Sequence, residues 1–159
     1  KNRYYGHPDM IRYLQRLGQR VKAAGLPTML VGDIAMPGGG RFLTGHASHQ
    51  MGLDADIWLR MGSMSDTDAL NSDGKGLLVV NRKAQRVDDS VWTANHAKLI
   101  KLAAEDPKVT RIFVNPAIKL KLCEPAKPGA TPSKPKVTPP EPFLCQQILN
   151  SPNRSEWLE

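Results

Sequence analysis

The chain has 159 residues, 40% of them hydrophobic, and carries 22 Lys and Arg against 15 Asp and Glu, a formal net charge of +7. That length suits one domain with a modest core, and no run of about 18 apolar residues is available to span a membrane. The positive balance favours an acidic partner such as nucleic acid, anionic lipid or cell-wall polymer. With no dense Lys/Arg run and no alternation of basic and aromatic residues, a nucleic-acid partner is disfavoured.

Asp9 to Ala24 predicts the first helix. Met10, Ile11, Leu14, Leu17 and Val21 recur at steps of three and four, and Arg12, Gln15, Arg16, Gln19 and Lys22 fill the other side. Pro8 and Gly25 punctuate its two ends, and His7 reads as a structural or capping histidine. Thr28 to Val31 predicts a short strand. Met36 to Gly45 is a loop whose three glycines, Gly38, Gly39 and Gly40, lack the Gly-Lys-Ser/Thr of a phosphate cradle. They fit a backbone that passes close to a metal site or a substrate. Arg41 is either a surface arginine or a bidentate partner for a substrate carboxylate.

The chemistry concentrates in the stretch from Gly45 to Trp58. His46 and His49 are followed by Asp54 and Asp56, and imidazole and carboxylate are the usual zinc ligands outside thiolate sites. In a helix, His49 and Asp56 would stand about 10 Å apart along the axis, yet two donors on one ion can be at most about 4 Å apart. In one continuous strand the odd offset would send them to opposite faces. They meet only if the chain bends between them, and Gly52 permits the bend. Beyond it, Leu53, Ala55, Ile57 and Leu59 alternate with Asp54, Asp56 and Trp58, which predicts a half-buried strand carrying two carboxylates on its open face.

Gly62 to Gly76 reads as an exposed loop, Leu77 to Val80 as a strand and Asn81 to Asp89 as a polar connection. Thr93 to Asp106 predicts the second clear helix, with Thr93 as N-cap, Pro107 as stop and His96 exposed in its first turn. Val109 to Val114 is a further strand, and Asn115-Pro116 opens a short helix toward Cys123. From Glu124 onward, seven prolines up to Pro142 alternate with Lys, Ala, Thr and Ser, a composition that favours extended chain over a core. Phe143-Leu144-Cys145 could dock that tail back onto the domain. The expected organisation is a domain over 1–123 and a proline-rich tail over 124–159. The expected fold class is α+β, with a small antiparallel or mixed central sheet bearing Leu53 to Leu59, Thr28 to Val31 and Arg111 to Val114, and two main helices on one side. The two cysteines, Cys123 and Cys145, form no Cys-x-x-Cys motif and cannot make a four-thiolate zinc site. They are consistent with a disulfide in an exported protein without establishing one. The start at Lys1, with no Met and no apolar signal core, reads as a processed or truncated product.

Ser48, His49, Gly52 and Asp56 spell the Ser-His-x-x-Gly-x-x-x-Asp pattern of the metallopeptidase group that includes lysostaphin-like enzymes, D-Ala-D-Ala peptidases and the hedgehog signalling domain. With Gly39-Gly40-Arg41-Phe42 and Gly45 to Gln50, the chain resembles the penicillin-insensitive murein endopeptidase family, from Tyr4-Tyr5-Gly6-His7-Pro8-Asp9 to Ile112-Phe113-Val114-Asn115-Pro116-Ala117-Ile118. The resemblance implies a hedgehog/D-Ala-D-Ala-peptidase-like fold and a periplasmic enzyme. It also implies one Zn2+ ion that serves to cleave D-amino-acid-containing peptide cross-links of peptidoglycan. His49 and Asp56 would then be metal ligands. His46 would be a catalytic residue at the site edge, binding substrate or supporting a ligand. Asp54 would support a ligand from behind, and Arg41 would bind substrate. A homodimer is open as an assembly state.

The chain departs from the family at one place. The family's third ligand comes from a His-x-His strand after the Asn-Pro-Ala-Ile helix, and its expected base lies in the same segment. Here no histidine follows His96, and Cys123 runs directly into the proline-rich stretch. The family's cysteine partners in that segment and near the N-terminus are absent too, which leaves the pairing of Cys123 and Cys145 open. Two readings follow: a zinc endopeptidase whose sequence here omits a segment, or a catalytically incomplete cell-wall-binding chain. A basic nucleic-acid-binding module ranks well below both. The resumption of the resemblance beyond Cys123 predicts that Cys123 and Glu124 are not natural neighbours.

Overall fold

A computed structural model describes residues 2–43, 48–70, 76–123 and 148–150. The chain divides into two compact units, Lys1–Leu77 and Leu78–Leu158, and the structure is α+β in both.

The first unit is built on α1, Pro8–Ala23. His7 caps it: its Nδ1 accepts from the Asp9 backbone N–H at 3.2 Å, as a capping histidine should. Asp9 sits in the first turn and Arg20 and Lys22 in the last, each sign complementing the helix dipole. Gly25 (φ 71°) ends the helix, its N–H reaching the Lys22 carbonyl while that of Leu26 reaches Val21, the paired bonds of a Schellman motif. Leu17 and Val21 are buried, and each buried aliphatic side chain of this kind contributes about 1.5–3 kcal/mol.

Strand β1, Leu30–Val31, pairs antiparallel with β2, Ile57–Trp58, in the register Leu30 to Trp58 and Val31 to Ile57. The pairing continues past the strands, since Gly32 N–H donates to the Asp56 carbonyl and Asp56 N–H to that of Asp33, both at 2.9 Å. On the far side of this segment Ile34 N–H donates to the Arg3 carbonyl at 2.7 Å and Tyr5 N–H to the Ala35 carbonyl at 3.1 Å. Residues 33–35 are thus held from both sides, and Ile34 and Ala35 are buried. The expected strand over Leu53 to Leu59 shortens to Ile57–Trp58, and Leu53, expected to face inward, is 53% exposed. The bend at Gly52 turns that residue outward before the ladder begins. A short helix α2, Asp66–Leu70, occupies the region read as loop, opened by Ser65, whose Oγ accepts from Asp68 N–H at 3.1 Å.

In the second unit, β3, Val80–Asn81, overlaps the end of the expected Leu77 to Val80 strand, and it forms an antiparallel hairpin with β4, Arg86–Val87, which lies where a polar connection was expected. Asn81 Oδ1 accepts from Ala84 N–H at 3.0 Å, and Gln85 takes a positive φ of 51°, which turns the chain back. Helix α3, Ala94–Ala104, follows Thr93 and buries Leu99, Ile100, Ala103 and Ala104. His96, expected to be exposed, is 4% exposed. Its Nδ1 accepts from the Thr93 N–H at 2.8 Å and its ring stacks on Trp92 at 5.2 Å. A histidine that caps its own helix keeps a hydrogen bond in the interior, and that removes the cost that would otherwise hold it at the surface.

Strand β5, Ile112–Val114, pairs in parallel with β6, Ile148–Asn150, rather than joining the ladder of β1 and β2 in one central sheet. Strand β6 was not foreseen: it falls inside the region read as tail. Helix α4, Pro116–Cys123, begins as expected from Asn115, whose Oδ1 accepts from Ala117 N–H at 2.9 Å, and it buries Ala117, Ile118 and Leu122. The expectations for residues 124–147, the docking of Phe143 to Cys145 and the Cys123–Glu124 junction among them, lie outside the described residues. No helix among the described residues is long and apolar enough to cross a membrane.

Candidate metal centre

The bend between His49 and Asp56 has two components. His49 itself is left-handed (φ 62°), and so is Gly52 (φ 68°). A histidine tolerates that conformation only where its surroundings impose it, at a cost of order 1–3 kcal/mol. Both flanks of the turn are tied down. Gly40 N–H donates to the Gln50 carbonyl at 2.9 Å, and His7 N–H donates to the Gly52 carbonyl at 2.9 Å. One glycine of the run is explained by this contact: a Cβ on Gly39 would lie 2.5 Å from the Gln50 carbonyl oxygen. The backbone therefore passes close to the residue that follows His49.

The result is a buried imidazole, 1% exposed. Its Nδ1 donates to the Ile34 carbonyl at 2.8 Å, which assigns the proton of the neutral ring to Nδ1 and leaves the Nε2 lone pair available. Nε2 lies 3.2 Å from Asp56 Oδ1 and 3.7 Å from Asp54 Oδ2, with the Asp56 side chain 16% and that of Asp54 33% exposed. Burial is the largest single influence on the His49 pKa and works downward. The hydrogen bond and charge of Asp56, the charge of Asp54 and the Ile34 carbonyl together outweigh it, so the pKa is raised above 6.5. The pocket favours a positive charge at Nε2, from a proton or from a cation.

The geometry suits a cation. Tetrahedral zinc with bonds of about 2 Å holds its donors about 3.3 Å apart, and Nε2 and Asp56 Oδ1 stand at 3.2 Å. Among the described residues no group of three or more His, Cys, Asp or Glu side chains could hold a metal ion. His46 lies outside the described residues, and Arg41 is exposed, outside the buried group. The structure thus brings together His49, Asp54 and Asp56 of the five expected site residues.

The sequence reading missed the layer behind the imidazole. Phe42 is buried and lies over the His49 ring, with centroids 5.8 Å apart and planes at 20°. The Arg3 guanidinium covers Phe42 at 4.5 Å from its centroid and donates to Asp33 Oδ2 at 2.8 Å. Phe42 stands inside a matched motif but carries no titratable group, and Arg3 gives no signal beyond its place before Tyr4.

The sequence model of the penicillin-insensitive murein endopeptidases matches residues 1–139. The chain belongs to that family. A penicillin-insensitive murein endopeptidase of Haemophilus influenzae is 64% identical in an alignment of 215 positions that takes in all of this chain and 75% of the relative. Proteins of the same name from Salmonella arizonae and Salmonella newport are 50% identical over 123 residues, 77% of this chain. The chain spans 45% of the length of those Salmonella relatives. The Haemophilus alignment is longer than the 159-residue chain, so that relative carries residues with no counterpart here.

Proposed function

We propose that the chain is the metal-binding core of a zinc-dependent murein endopeptidase that hydrolyses D-amino-acid-containing peptide cross-links of peptidoglycan in the periplasm. The observation that carries this reading is the 3.2 Å approach of His49 Nε2 to Asp56 Oδ1, with Nδ1 committed to Ile34, in a chain of this family. His49 and Asp56 hold the ion, and Asp54 adds negative charge beside it. Zinc, when bound, supplies a Lewis acid that polarises a carbonyl and acidifies a water. Arg41 receives a substrate carboxylate and His46 acts at the site edge. The cysteines suit an oxidising compartment, and no cysteine among the described residues is free.

A second reading is favoured by one specific observation, the residues of the Haemophilus relative that have no counterpart here. In it, the 159-residue chain is catalytically incomplete and binds cell wall. The Salmonella matches span 123 residues. In this reading the segment that supplies the third ligand and the base, which the resemblance places after the Asn115-Pro116-Ala117-Ile118 helix, falls between Cys123 and Glu124.

One experiment separates the readings. Zinc content and release of soluble muropeptides from purified peptidoglycan are measured for this chain and for the same chain with the relative's additional residues restored. Zinc and muropeptide release only in the restored protein support the placement of the segment. Release by the 159-residue chain itself would remove the need for it. Absence of zinc from both would overturn the metal reading.

A further inference from the structure

A contact chain behind the proposed metal pair runs from Asp33 through Arg3 and Phe42 to His49. We infer that Arg3 is a positioning residue for the His49 imidazole, acting through the ring of Phe42; the inference rests on the reading of His49 as a metal ligand.

The contacts form an unbroken stack. Arg3 Nη1 donates to Asp33 Oδ2 at 2.8 Å, which anchors the guanidinium, and its Cζ lies 4.5 Å from the Phe42 centroid. Phe42 in turn lies 5.8 Å from the His49 ring at 20°. The same short stretch of backbone is used twice. Arg3 accepts from Ile34 N–H through its carbonyl at 2.7 Å, and the Ile34 carbonyl accepts from His49 Nδ1 at 2.8 Å. Arg3 thereby sets one edge of the imidazole through the Ile34 peptide and one face through Phe42.

The chemistry requires such a device. His49 has a left-handed backbone, and a side chain on a strained turn needs its orientation imposed from outside. Hydrogen-bonded and packed supports of a ligand histidine typically change metal affinity by 10–100-fold when removed. A guanidinium suits the task better than an ammonium, because it can lie over an aromatic ring and still donate to a carboxylate such as that of Asp33. The Arg3 side chain is only 22% exposed, so water competes little for it.

The test uses the full chain, Zn2+ alone as probe and two readouts. One is the zinc dissociation constant. The other is the ring-proton chemical shifts of His49 in metal-free protein, which report the ring current of Phe42. Arg3→Ala is expected to weaken zinc binding about tenfold and to move the His49 shifts toward those of Phe42→Leu. Arg3→Lys, which keeps the charge on Asp33 and Phe42, is expected to recover part of both. In the Phe42→Leu background Arg3→Ala is expected to move the His49 shifts no further. Unchanged shifts in Arg3→Ala, or an equal displacement with and without Phe42, would overturn the inference. If Arg3→Ala does not fold, Arg3→Gln and Asp33→Asn release the same anchor and are read the same way. Failure of the wild-type chain to bind zinc would sink the metal reading alone, since the ring shifts still test the stack.

Discussion

The backbone of Gly52 lies directly against that of His7. The Gly52 carbonyl accepts from the His7 N–H at 2.9 Å, and a Cβ on Gly52 would stand 2.6 Å from the His7 nitrogen. The bend that lets His49 and Asp56 meet is thus locked to the N-cap of α1. Gly52→Ala meets both a positive φ of 68° and a backbone atom that cannot swing away. The conformational part alone costs about 1–3 kcal/mol, and the contact adds to it. Denaturant unfolding of Gly52→Ala should show at least that loss, whereas Gly18→Ala, in a helix with open space around it, should be neutral or stabilising by about 1 kcal/mol.

The two carboxylates beside His49 should respond differently. On the proposed reading Asp56, closer and more buried, would hold the ion, and Asp54, at 3.7 Å and twice as exposed, would add field. Asp56→Asn should abolish measurable zinc binding, as should His49→Ala, with the circular dichroism of the helices retained. Asp54→Asn should weaken it about 10–100-fold. Titration with a competing chelator distinguishes the cases, and full zinc occupancy in Asp56→Asn would show the ligand assignment to be wrong.

His96 should matter to stability. Replacing it with Ala removes the acceptor for Thr93 N–H and the stack on Trp92. A lost cap costs about 1–2 kcal/mol, so thermal unfolding of His96→Ala should begin several degrees lower while zinc affinity stays unchanged. A histidine exposed in solution would give no such shift.

Asp88 offers a pH test at the β4 turn. Its carboxylate accepts from the Ser90 N–H at 2.9 Å and the Ser90 hydroxyl at 2.6 Å. The hydroxyl bond first, then the N–H bond, hold its pKa below 3.8, with Arg86 a smaller aid against a small desolvation effect. A depressed folded value means that this contribution is present above the unfolded pKa and is lost as pH falls through the folded one. The Asp88 carboxyl resonance should titrate below 3.8, and Ser90→Ala should raise its midpoint. An unmoved midpoint would rule out the hydroxyl as the cause.

The junction of Cys123 and Glu124 is open to direct chemistry. In protein isolated from its natural source, trypsin, which leaves the Lys127–Pro128 and Lys134–Pro135 bonds intact, should not release a peptide running from Leu122 to Lys136 after reduction. Peptides resembling the additional residues of the Haemophilus relative should follow Cys123 instead. Detection of that Leu122 to Lys136 peptide by tandem mass spectrometry would establish a natural deletion.

Helices α1, α3 and α4 were legible in the sequence because their signals are local. A helix closes its bonds within four residues, so His7-Pro8 and Gly25, Thr93, and Asn115-Pro116 act on residues a turn away. The meeting of His49 and Asp56 was legible for a related reason: a seven-residue offset admits few solutions, and Gly52 supplied the one that bends. The strands were harder, because a strand's partner is not written next to it. Nothing in Ile112–Val114 specifies β6 at Ile148–Asn150, and nothing in Leu53 shows that the bend turns it outward. The burial of His96 depended on a hydrogen bond that turns a polar residue into an interior one. The support of the metal pair was the least visible part, since Arg3, Asp33, Phe42 and His49 are scattered along the sequence and share no pattern. Stacking and ion pairing act through space at a few ångströms, and only the folded chain brings those four side chains within that range.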